Sequence, residues 1–105
     1  MQIFYFVFNV VPNNENPLAL ELEKGIAHVM VMDKEENEAR TKALAKIELD
    51  QWLFLSEELS FEMPVEQFPK SEVEPVDLIL YEKALKFGVA SDYISCPKKD
   101  ASVLQ

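Results

Sequence analysis

Apolar residues fill both phases of the first eleven positions, with Phe4, Phe6, Phe8 and Val10 on one parity and Ile3, Tyr5 and Val7 on the other. Aromatic and β-branched residues in that run predict a strand, and apolarity on both parities predicts one covered on both faces. The turn formers from Pro12 to Pro17 close it. Leu18 to Lys24 fits two patterns. Leu18, Leu20 and Leu22 alternate as in a strand, whereas Asn16 as cap, Pro17 at the first helical position and Gly25 just past the end favour a short helix. The capping residues tip the expectation to the helix, followed by a second strand over Ile26–Met32.

Asp33 with Glu36 three residues on is a variant capping box, and it opens a helix from Lys34 to about Leu49. Ala39, Ala43, Leu44 and Ile47 form its apolar stripe. Arg40 falls inside that stripe, so its stem is expected on apolar surface and its charge on Glu36. Trp52 to Met63 reads as a long strand, with Leu53, Leu55, Leu59, Phe61 and Met63 on one face and Ser56, Glu58, Ser60 and Glu62 on the other. Glu57 interrupts the apolar face and marks a bulge. An acidic connection from Pro64 to Pro75 leads to a second helix ending at Gly88. Val76, Leu80, Ala84 and Phe87 form its core stripe, and Leu78, Tyr81 and Leu85 a second one. Ser91–Cys96 is a short edge strand, and Lys98–Gln105 a tail beyond a single domain of residues 1–97.

The order β-β-α-β-α-β calls for a crossover between the second and third strands, with the first strand between them and antiparallel to both. The expected architecture is an α+β two-layer sandwich, a mixed, mostly antiparallel sheet with both helices on one face. It resembles ferredoxin-like folds, with an extra leading strand. One helical layer leaves the opposite sheet face bare, so a homodimer is expected to hide it.

Composition narrows the function. The 105 residues, 49% of them apolar, are enough for one core without metals or disulfides. Cys96 is the only cysteine, so neither an intrachain disulfide nor a cysteine-cluster zinc site can form. The apolar start has no basic leader and is too short to span a bilayer, which leads to a cytoplasmic expectation with no membrane partner.

The net charge is −9, and nine acids against one base lie between Glu48 and Asp77. Nucleic-acid binding by counterion release needs the opposite sign, so no nucleic-acid partner is expected. The acidic block, with Glu57, Glu58, Glu62, Glu66, Glu72 and Glu74 as candidate partner residues, is either a solvated rim or a surface that steers a basic protein.

Candidate chemistry is sparse. His28 is the lone histidine, in an apolar strand where a hydrogen-bonded or interface role outweighs that of base or ligand. A Cys96–His28 nucleophile pair lacks any oxyanion loop beside Cys96. Glu57 and Glu58 are adjacent on a strand and cannot converge on one atom. Phosphate, dinucleotide and calcium loops are absent, and no cofactor is expected. These features favour a non-catalytic interaction module, homodimeric and of the immunity-protein, antitoxin or adaptor kind, that binds a basic partner through residues 48–77. The alternative is a small-molecule binder or enzyme with a pocket between two subunits' sheets, and polar residues converging there, His28 among them, would favour it.

Overall fold

The computed structural model describes residues 1–69, 72 and 75–97. The tail expected over residues 98–105 and the partner candidate Glu74 lie outside them. The element order is β1 (Gln2–Pro12), β2 (Leu22–Asp33), α1 (Glu36–Leu49), β3 (Trp52–Pro64), a 3-10 turn (Val65–Gln67), α2 (Pro75–Phe87) and β4 (Val89–Pro97). The strands form one sheet in the order β3-β1-β2-β4, with every neighbouring pair antiparallel. The class is therefore α+β in the expected order, and the described sheet is wholly antiparallel rather than mixed, because the parallel strands β2 and β3 are kept apart by β1. The first strand sits between the second and third, as its two-faced apolarity predicts.

The placement of the helices differs from the expectation. Phe4, Phe6, Phe8 and Val10 pair in register with Val31, Val29, Ala27 and Gly25, and this face of the sheet packs on Ala39, Ala43 and Ile47 of α1. The opposite parity, Ile3 with Met32 and Met30, packs instead on Leu80, Tyr81 and Ala84 of α2. The helices lie on opposite faces, so the molecule is not a two-layer sandwich. It keeps the ferredoxin-like number of strands and helices but not a shared helical layer. The physical reason is the apolarity of both parities of β1 and β2, which one helix layer cannot bury. With a helix on each side, the sheet presents no wholly bare face, and the reasoning toward a dimer through such a face does not carry over.

Local chemistry explains the boundaries. Residues 17–21 turn rather than coil, and β2 already begins at Leu22. Asn16 makes the turn by accepting from the Leu18 amide at 2.9 Å, while its side-chain amide donates to the Gln51 carbonyl at 3.1 Å. Gly25 is no helix terminator. It lies inside β2 because the Trp52 ring covers it, and a Cβ there would stand 2.7 Å from that ring. The cap of α1 is Glu35, two residues later than expected, and its side chain accepts from the Asn37 amide. Asp33 ends β2 and ion-pairs with Lys42 at 2.7 Å. At the end of α2 the expected glycine is needed, since Gly88 has φ +87° and donates to the Ala84 carbonyl at 2.8 Å.

In α2 the two expected stripes are partly exchanged. Leu80 and Ala84 are buried with Tyr81, whereas Phe87 is 66% exposed. Tyr81 is drawn inward by Phe68, which follows the 3-10 turn and stacks on its ring at 4.0 Å. The side chain of Val76 lies outside the described residues.

Candidate functional site

Two places on the molecule stand out, an exposed edge strand and a cleft, and both involve the face that carries α2. That helix packs on β2 and β4. Among the described residues, the same face of β1 and β3 is covered only in part, by Leu80 and Tyr81 of α2 and by Val65 and Phe68.

The first place is β3, an edge strand. Every residue from Leu53 to Glu62 is exposed, including Leu53, Phe54, Leu55, Leu59 and Phe61, which are 42–56% exposed. Its ladder with β1 is regular from Pro64 to Leu59 and then slips twice, leaving Glu58 and Leu55 as extra residues. The bulge expected at Glu57 thus falls one residue later, and a second follows. The slips reassign the faces. Glu57 joins Ser60 and Glu62 on the α1 side, and Glu58 turns to the other side, where Asn9 Nδ2 donates to it at 3.0 Å.

The acidic block is therefore not one surface. Glu57 is bound by Arg40, whose Nε donates at 3.0 Å and which also pairs with Glu36 at 3.0 Å. Hydrogen bonding from Arg40 holds Glu57 below the usual carboxylate range. The Arg40 guanidinium also lies 5.2 Å from the centre of the Phe6 ring, as its place in the apolar stripe implied. Glu62 accepts only from Gln2 Nε2, at 3.3 Å, among the described contacts. Glu66 is exposed on the 3-10 turn and Glu72 is exposed beyond it.

The second place is a cleft of about 190 Å³ between α2 and the sheet, lined by Tyr5, His28, Asp77, Leu80, Asp92 and Ile94. His28 and Tyr5 are neighbours because the β1–β2 register places Tyr5 opposite Met30 and Val7 opposite His28. Their Nδ1 and hydroxyl share a hydrogen bond of 2.6 Å. Burial, the charge and hydrogen bond of Asp77, and the charge of Asp92 push the Tyr5 hydroxyl up to about 12. The hydroxyl is therefore neutral, not a phenolate, at any physiological pH. Neither Asp77 nor Asp92 belongs to an ion pair among the described residues.

The lone histidine was visible in the sequence, but Tyr5, Asp77 and Asp92 were missed. They sit on three other elements, and only the phase of Tyr5 on β1 pointed to them. Cys96 is opposite Lys24 on β4, four residues along the ladder from the Asp92–His28 pair. Strand rise alone separates it from His28 by roughly 13 Å, too far for a nucleophile–base pair.

Among the described residues, no group of three or more His, Cys, Asp or Glu is placed to hold a metal ion. No helix among them is long and apolar enough to cross a membrane. No protein-family model, curated protein or solved structure matches the chain.

Proposed function

We propose that this chain is a non-catalytic protein-interaction module that docks a basic partner along β3 and the open sheet beside it. The observation that carries the reading is the continuous exposure of β3, with five large apolar side chains about half in water. Completing the burial of all five would contribute roughly 4–7 kcal/mol, taking half of the usual gain for each. Association alone costs about 4–15 kcal/mol, so apolar contact is not sufficient. The remainder falls to polar and charged contacts, and a chain of net charge −9 favours a basic partner over another copy of itself.

The test places a photoreactive side chain at exposed Leu55 and, as a control, at Thr41 on the outer side of α1, in the native host. The Leu55 probe should capture one protein of basic isoelectric point, and adding Phe61→Asp should abolish the capture. Identical capture from both positions would refute the reading.

The cleft favours a second reading, that of a small-ligand binder. Its support is the convergence of Tyr5, His28, Asp77 and Asp92 from four elements onto one space. Small amines that raise the melting temperature of the wild type, but not of Asp92→Asn, would favour it over docking at β3.

A further inference from the structure

We infer that β3 takes its partner as an added strand, an extended segment with alternating basic and apolar side chains laid along Leu59–Met63. This rests on the interaction reading above and names the partner's form. This stretch lies in the longest part of the edge without a slip. Its pairing with β1 runs without a slip from Ile3–Met63 to Val7–Leu59, whereas the extra residues Glu58 and Leu55 break the edge beyond it. Bulges of that kind obstruct strand pairing, and Pro64 has no amide to offer at the other end. Among the described residues β3 is the last strand on its side of the sheet, and the outer edge of 59–63 has no neighbouring strand there.

The alternation of side chains sets what the added strand must carry. On the α1 side stand Ser60 and Glu62. They line, with Glu36, a depression of about 110 Å³ that also borders Phe4 and Phe6. Glu36 already shares Arg40 with Glu57, and Glu62 has no basic partner among the described ion pairs. On the other side, Leu59 and Phe61 stand exposed next to Val7 and Tyr5, and Phe61 meets the Tyr5 ring edge-on at 5.2 Å. A strand laid here presents successive side chains to opposite faces, so lysine or arginine must face Glu62 and Glu36 while apolar residues face Leu59 and Phe61. A second copy pairing through the same stretch would gather Glu36 and Glu62 from both chains on one side, and like charges brought together across strands oppose pairing. The occupant is a basic segment.

The experiment uses the full chain and four labelled nine-residue peptides with blocked ends, read by fluorescence anisotropy. One alternates lysine and valine, and one has the same composition with the lysines grouped. Two alternating peptides carry N-methyl groups on the amides of one edge or the other. The alternating peptide should bind at least tenfold tighter than the grouped one. Methylation of one edge should abolish binding while methylation of the other leaves it, because only one edge can pair with β3. Glu62→Lys should weaken binding at least tenfold with an unchanged melting temperature.

Equal binding by the grouped peptide, indifference to both methylations, or no binding by any peptide overturns strand addition. So does a dimer mass in sedimentation that Phe61→Asp abolishes. If the peptides fail while the Leu55 probe still captures its basic partner, strand addition is wrong and the docking reading stands. If the Leu55 probe captures nothing selectively, the docking reading itself has failed.

Discussion

Replacing Gly25 by alanine isolates one packing contact whose cost can be worked out from the structure. The new methyl would stand 2.7 and 2.9 Å from two atoms of the Trp52 ring and 3.2 Å from the Ile94 carbonyl oxygen. Trp52 cannot simply swing away, because it is buried and stacked on Tyr93 at 5.2 Å with the ring planes 10° apart. Overpacking of this kind costs about 1–3 kcal/mol. Gly25 has no positive φ, so its backbone accepts alanine, and the stiffer unfolded chain returns about 0.4–1 kcal/mol. The expected net loss is up to about 2.6 kcal/mol, at some 4–8 °C in melting temperature for each kcal/mol.

The decisive measurement is a double-mutant cycle with Trp52→Leu, followed by circular dichroism in urea because Trp52 is the only tryptophan. Without the ring, Gly25→Ala should become neutral or stabilising, reversing its sign. An equal loss in both backgrounds would mean that the ring does not explain the glycine.

Two further outcomes follow from the buried groups. Tyr5 is pushed up to about 12, and burial together with the hydrogen bond to Asp50 pushes Tyr93 up as well. Both exceed the unfolded value of about 10, so their contribution is complete below pH 10 and is lost as pH rises through the folded values. Urea midpoints measured from pH 9 to 12 should fall, less steeply in Tyr5→Phe and in Tyr93→Phe, and parallel slopes in all three proteins would contradict the assignment. Leu80→Ala should cost about 2–5 kcal/mol by emptying the contact of α2 with Ile3, Met30 and Met32. A loss below about 0.5 kcal/mol would place Leu80 at the surface.

Most of the fold was legible because it rests on local periodicity. The two-faced apolarity of Ile3–Val10 put β1 inside the sheet, the alanine stripe set α1 against it, and Gly88 marked the end of α2. Failures came where a distant residue decides. Gly25 carries the same local signal as a helix terminator, and only Trp52, 27 positions away, makes it a strand glycine. The side taken by α2 was available in principle, since Ile3, Met30 and Met32 also needed cover, but pattern alone does not say which layer supplies it. The cleft was least legible. Tyr5, Asp77 and Asp92 are unremarkable where they occur, and they join His28 only through strand register and the crossing of α2.

The sheet divides the interior into two separate packing problems. Ala39, Ala43 and Ile47 meet one side of β1 and β2, Leu80, Tyr81 and Ala84 meet the other, and the two clusters have no residue in common. Substitutions that share no contacts add their effects, whereas those in contact are coupled. A sequence drifting over generations could therefore refit the α2 layer, and with it the walls of the cleft, while the α1 layer kept its own residues. The side of the molecule that holds Tyr5 and His28 is the side free to diversify without dismantling the other.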